Sequence, residues 1–249
     1  MALTDLSRLP LPRACHEALR EPRCQRIDDH AVPLAAAWWN AETASARLPG
    51  APVAAPGVTH LSRGDLFADA VDLWARSDEE LLRFTWRVLA WGSGMKLRLN
   101  RRRIRAVADD TASVVKTLRR ALEAATADPT PAYEVLHPKG RNAVRYLGPA
   151  FSTKLLYFAG AGAVRHPCAI LDSRVATTLK KSCGWDSLGH GRWPTYTYGR
   201  YCTPLSRWAH EESERLGRDV GVDEIERWLF DSAGGQARKQ VSTAGTRRC

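Results

Sequence analysis

No apolar run in this chain approaches the roughly 18 residues a membrane helix needs, so no membrane association is expected. No Cys-x-x-C pair occurs: the 6 cysteines stand far apart, at 15, 24, 168, 183, 202 and 249. That scatter argues against a zinc ribbon or a tight iron–sulfur cluster, and no metal or cofactor is expected. The opening "MALTDLSRLPLPRACHEALR" carries early charges and no uninterrupted apolar core, unlike a secretory signal. The thiols are therefore expected to be reduced, in a cytoplasmic protein. There is no internal repeat, and no period-2 strand pattern longer than a few residues. Acidic residues are the minority charge: 27 Asp and Glu stand against 37 Lys and Arg, a net +10. That excess speaks of partners, nucleic acid or an anionic surface, rather than of fold. A generally basic soluble enzyme is the plainer reading. At 249 residues, 44% apolar and 26% charged, the chain has the length and composition of a globular protein with a real core.

What is present is mostly helical pattern. Residues 1–60 read as an irregular Pro/Ala-rich segment, with "RLPGAPVAAPGV" (47–58) a loop. Residues 61–231 read as one helical domain, and 232–249 as a disordered polar tail. "SRGDLFADAVDLWARS" suggests a short helix ending near Arg76. Ser77 with Glu80 forms a capping box for the next helix, and Gly92 reads as its stop. Leu81, Leu82, Thr85, Val88 and Leu89 make its core stripe. A long, interruptible helix then runs to about Thr126, with Val114, Leu118, Ala121 and Ala125 on one face. Further helices are expected at 153–159, from Asp172, at about 204–216 and at 223–231, with an aromatic loop between 183 and 204. The fold class is all-α.

"YLGPAFSTKLLYF" places Lys154 at a helix start, behind a Gly-Pro break and among aliphatic residues that will be buried. The plain reading of Lys154 is a snorkelling lysine. Asp172 follows 18 positions later at another helix start, where the plain reading is an N-cap. Read together, the pair has a chemistry. Cleaving an N-glycosidic bond builds positive charge on the sugar, which a carboxylate stabilises, while an unprotonated amine attacks the anomeric carbon. Lys154 in a first helical turn, near the positive end of the dipole and among apolar groups, would be biased toward the neutral amine.

"YLGPAFSTKLLYF … PCAILDSRVATTL" resembles the helix-hairpin-helix and aspartate signature of DNA glycosylases, most closely the 8-oxoguanine DNA glycosylase-like branch. "FTWRVLAWGSGMKLRLNRRRIRAV" is similar to that family's segment carrying the loop that fills the hole left by an extruded base. The resemblance covers about 85–110 and 140–182. It implies two helical subdomains flanking a cleft, with the helix-hairpin-helix at about 133–160. It further implies a Lys154 nucleophile, an Asp172 partner, and excision of a damaged or modified base, an 8-oxoguanine-like purine foremost, with abasic-site lyase activity. Double-stranded DNA would be the partner of a monomeric, nucleoid-associated protein. Of the family's two hairpin glycines only Gly148 is present, and its usual asparagines are absent from 92–96. The N-terminal β domain of eukaryotic-type members is not evident in 1–60.

Around this pair the DNA-binding candidates are Gly148, Ala150, Ser152 and Thr153 at the hairpin, and Ser93, Met95 and Lys96 as the wedge. Arg98, Arg102 and Arg105 are spaced i, i+4, i+7 along one helical face, flanked by Arg101 and Arg103, where they could neutralise phosphates. Trp91, Tyr196, Tyr198 and Tyr201 are candidates to sandwich a flipped base, although core packing suits at least two of the aromatic-loop residues. Three alternatives stay open: a non-catalytic helix-hairpin-helix DNA-binding protein, a defence enzyme acting on modified foreign DNA, and a helical protein binding an acidic partner.

Overall fold

The computed structural model describes residues 5–234. In chain order the α-helices are α1 (Arg13–Ala18), α2 (Ala36–Ser45), α3 (Arg63–Ala70), α4 (Asp78–Ser93), α5 (Asn100–Asp109), α6 (Thr111–Ala125), α7 (Pro129–Leu136), α8 (Pro149–Phe158), α9 (Ser173–Cys183), α10 (Thr195–Leu216) and α11 (Val222–Ser232). Two three-residue strands, β1 (Ala31–Pro33) and β2 (His60–Ser62), pair antiparallel with Val32 opposite Leu61. The fold is mainly α, as expected.

Local chemistry sets the boundaries near the site. The Ser77 hydroxyl accepts from the Glu80 N–H while the Glu80 carboxylate accepts from the Ser77 N–H, the expected reciprocal box. The stripe from Leu81 to Leu89 is buried in the core. The helix ends at Gly94, not at Gly92. Gly94 has φ +53° and supplies the turn, whereas Gly92 is helical. The long helix expected to reach Thr126 breaks at Asp110, which caps α6 by accepting from the Ser113 N–H. The helix expected to end near Arg76 stops at Ala70, and a 3-10 turn over Leu73–Ala75 follows.

Two expectations were displaced further. Residues 1–60, read as irregular, contain α1, α2, β1 and a π-helical turn over Cys24–Asp28. Leu9, Cys15, Leu19 and Ile27 are buried. Arginines of α10 and beyond hold this segment: Arg207 donates to the Leu9 carbonyl, Arg215 to that of His16 and Arg218 to that of Leu19. The aromatic loop is half helix. Pro204, which read as a first helical residue, lies inside α10, and Tyr198, Tyr201, Leu205 and Trp208 form its buried stripe. The polar tail falls almost wholly outside the described residues. Among the described residues no helix is long and apolar enough to cross a membrane. Ser77→Ala removes one half of the capping box and should lower stability by about 1 kcal/mol, read as a shift in the urea midpoint with an unchanged slope.

Candidate active site

A cavity of about 210 Å³ lies where the two sides of the molecule meet. One side brings His30 and Val32 of and beside β1, Arg63 of α3, and Trp91 to Gly94 at the end of α4. The other brings Lys154 of α8, Ile170 and Asp172 before α9, and Glu226 and Phe230 of α11. Lys154 and Asp172 thus face a single space.

Lys154 is not in a first helical turn. Pro149 is pre-set for the first position of a helix and has no N–H to waste, so α8 starts there and Lys154 is well inside it. The dipole argument for a neutral amine therefore weakens, and burial takes its place. Lys154 is only 8% exposed. Burial lowers its pKa below the ordinary lysine value; Asp172 and Glu226 pull the other way without overcoming it, and Arg63 adds to the lowering. Its Nζ donates to the Ala150 carbonyl one turn back, at 2.8 Å. Gly92 makes the room: a Cβ there would lie 2.9 Å from Lys154 Cδ and 3.0 Å from the Phe151 ring. The glycine that read as a helix stop is a packing requirement of the lysine.

Asp172 caps α9, its Oδ1 accepting from the N–H groups of Arg174 and Val175 at 2.9 and 3.1 Å. Its Oδ2 has no hydrogen-bond partner among the described residues, and the residue is only partly buried. Three buried hydroxyls fix the extended segment that delivers it. Tyr198 donates to the Ala169 carbonyl, Tyr201 donates to that of Ile170, and Thr153 accepts from the Leu171 N–H. Thr153 precedes Lys154, so one hydroxyl registers the lysine's helix against the aspartate's segment.

Arg63 forms the floor. It is 1% exposed and donates from Nε to His30 Nδ1, from Nη1 to the Tyr157 hydroxyl and from Nη2 to Glu226 Oε2 at 3.0 Å. Burial opposes its charge, but Tyr157, Glu226 and Asp223 more than offset that and raise its pKa. A guanidinium only donates, so His30 Nδ1 must accept and the ring carries its proton on Nε2. Burial, reinforced by Arg63, pushes the His30 pKa down to about 2 and keeps the ring neutral. Burial raises the pKa of Glu226 despite its partner. None of His30, Arg63, Glu226 and Phe230 stood out in the sequence. They come from separate elements, and no motif links them.

Residues 25–230, which include every residue bounding the cavity, match the family described as "Putative 8-oxoguanine DNA glycosylase OGG-like protein". The chain belongs to this OGG-like DNA glycosylase family. No curated protein and no solved structure matches it.

The other candidates divide. Trp91 lines the cavity. Tyr198 and Tyr201 do not: both are fully buried and brace the 169–171 backbone instead. Tyr196 is 59% exposed and borders a separate depression beside Trp185 and Arg200. Ser152 and Thr153 are fully buried, with side chains bonded to nearby backbone, so neither hydroxyl can reach a phosphate. Gly148 and Ala150 stay partly accessible at the start of α8, and the Ala150 N–H has no partner among the described residues. The tight Gly-Pro hairpin is instead a connection over 137–148 with a 3-10 turn at Pro138–Gly140. Ser93 belongs to the cavity wall and accepts from Asn100 Nδ2 at 3.0 Å, which removes it from the wedge; Met95 and Lys96 are exposed. Arg98 precedes α5, so the three-arginine helical face reduces to Arg102 and Arg105, with Arg98 beside them on the loop. All three are exposed and unpaired with any described carboxylate, while Arg101 pairs with Glu42 and Arg103 is buried.

Two expectations follow from this geometry. Gly92→Ala should displace the Lys154 stem, and labelling of Lys154 by a lysine-reactive aldehyde, mapped by mass spectrometry, should fall severalfold with little change in the far-ultraviolet spectrum. The rate of that labelling should rise with pH around an apparent pKa below 10.5, the ordinary lysine value. Because Asp172 favours the ammonium, Asp172→Asn should move the midpoint lower still; an upward move would contradict the arrangement.

Proposed function

We propose that the chain is a DNA glycosylase with abasic-site lyase activity, in which Lys154 is the nucleophile and Asp172 stabilises the sugar cation. The observation that carries this reading is the confluence of a desolvated amine and a carboxylate with an unengaged oxygen on one cavity, itself large enough for a single extruded base. As the glycosidic bond breaks, its electron pair leaves with the base, which takes up a proton. The Lys154 lone pair forms the new bond to C1′, and the nitrogen, now carrying the positive charge, gives up one of its two protons. Ring opening, with O4′ taking a proton, gives the protonated imine, from which loss of the C2′ proton expels the 3′ phosphate. Asp172 Oδ2 faces the charge that develops on the sugar.

The favoured substrate is an 8-oxoguanine-like purine in duplex DNA. Trp91 and Phe230 offer apolar walls for it, and Glu226 and neutral His30 offer an acceptor and a donor. Arg98, Arg102 and Arg105, with Lys96, supply phosphate contacts that make binding fall with salt. The start of α8 would add a phosphate contact through the Ala150 N–H, which is the role the helix-hairpin-helix reading gives α7 and α8.

The test is borohydride reduction during incubation with duplexes each bearing one lesion, 8-oxoguanine opposite cytosine among them. Wild type should form a covalent adduct, Lys154→Gln none, and Asp172→Asn should cut excision by about 10²-fold. Salt-sensitive DNA binding with no adduct on any duplex would instead point to a non-catalytic DNA-binding protein.

A further inference from the structure

Of the five arginines between 98 and 105 only Arg103 is buried, at 7% exposure. It pairs with no carboxylate among the described residues, and burial pushes its pKa down to about 10. A guanidinium keeps its proton, and a buried charge without a counter-ion is costly. An apolar side chain of similar length would fill the space at less cost, so the reason for Arg103 lies in what it holds. Its donors go to oxygens on two loops: Nε to the Tyr146 carbonyl at 3.0 Å before α8, Nη1 to the Arg98 carbonyl at 3.3 Å and to Asn100 Oδ1 at the start of α5. Its guanidinium carbon lies 4.0 Å over the Phe151 ring, the spacing of a stacked cation.

Phe151 in turn meets Lys154 in two ways. Its ring centroid is 5.6 Å from Lys154 Nζ, and ring and lysine stem close on the same space at Gly92: a Cβ there would lie 3.0 Å from the ring and 2.9 and 3.2 Å from Lys154 Cδ and Cε. The peptide unit that joins Ala150 to Phe151 also carries the carbonyl that accepts from Nζ at 2.8 Å. The ring therefore walls the lysine stem, and its backbone presents the acceptor of the amine. The charges that act on the amine come from elsewhere: Asp172 before α9, Glu226 of α11 and Arg63 of α3.

We propose that Arg103 is a positioning residue for Lys154 that acts through the Phe151 ring, tying the loops before α5 and α8 to the wall that keeps water from the amine and the amine on its acceptor. Its consequence for reaction rate rests on Lys154 being the nucleophile; its consequence for the amine itself does not. The action is one of shape, since a planar fork both bridges the two loops and lies flat on the ring, and a substitution that conserves the charge separates shape from electrostatics.

The test is the pH profile of Lys154 labelling by a lysine-reactive aldehyde under borohydride, mapped by mass spectrometry on the full chain without DNA. Arg103→Lys keeps the charge but has no fork to bridge both loops and no plane to cover the ring. With the ring released, water reaches the amine and burial lowers its pKa less, so the labelling midpoint should rise by about half a unit toward the ordinary 10.5. Phe151→Leu should raise it too, and the two substitutions together should raise it no further than Phe151→Leu alone, because one route carries both effects. Should Arg103→Lys fail to fold, Asn100→Ala, which removes one of the Arg103 acceptors, is expected to shift the midpoint with the same sign. An unchanged midpoint in the folded variant, whatever its Tm, or shifts that add in the double variant, would overturn the proposal. On a cleavable duplex the borohydride adduct rate at saturating DNA should fall about tenfold in Arg103→Lys, with half-saturation within about twofold of wild type, because the buried side chain sets geometry and not encounter. A loss confined to half-saturation would count against it equally. Absence of any adduct from wild type would sink the catalytic reading alone, because the labelling profile needs no DNA.

Discussion

The fold around the cavity is organised by one cost, that of holding a lysine amine out of water. An ammonium taken into a protein interior loses several kcal/mol of hydration unless it is paired or gives up its proton. Lys154 has a single short hydrogen bond to a carbonyl and a carboxylate across the cavity, so burial still holds its pKa below the ordinary lysine value. Several other features are conditions for that placement. Gly92 must lack a side chain for the lysine stem to lie where it does. Pro149 must start α8 early enough to carry residue 154 inward. Thr153 must register α8 against residue 171, or the carboxylate of Asp172 would have no fixed relation to the amine.

The second charge beneath the cavity solves the same problem in the opposite way. Arg63 cannot lose its proton, so it is surrounded by groups that accept: a histidine nitrogen, a phenol and a carboxylate. The network extends through Tyr157 to Asp223, and from there to Arg23. Its members come from the N-terminal segment, α3, α8 and α11. Breaking a buried pair strands a charge and is more damaging than never having made one. The network therefore ties the N-terminal segment to the helix that carries Lys154, and residues 5–60 are folded onto the body.

The helical class, the capping box at Ser77, the N-cap at Asp172 and the meeting of Lys154 with Asp172 were all legible in the sequence. Each depends on neighbours within a few residues or on a spacing that a family repeats. What was not legible depends on approach in space. Gly92 reads as a stop until Lys154 packs on it. Tyr198 and Tyr201 read as a base pocket because aromatic residues in a loop suggest one; their 3-residue spacing, continued by Leu205 and Trp208, was the overlooked sign of a buried helical face. Ser152 and Thr153 looked like phosphate ligands because of their place after the hairpin, yet hydroxyls inside helices bond back to carbonyls four residues earlier, as both do here. Arg103, one arginine among five between 98 and 105, gave no local hint that it alone turns inward.

That inward turn links the loops before α5 and α8 to the cavity. The Arg103 guanidinium lies 4.0 Å over the Phe151 ring, and the same ring is 5.6 Å from Lys154 Nζ and within contact range of Gly92. Phe151 is thus packed between the group that spaces the outer loops and the group that would attack the sugar. An interior at crystal-like density passes displacement from one packed group to the next. A change in the separation of residues 99 and 146 would reach the amine through a single aromatic ring. The loop carbonyls that Arg103 holds and the Lys154 amine are, in this chain, two ends of one short mechanical path.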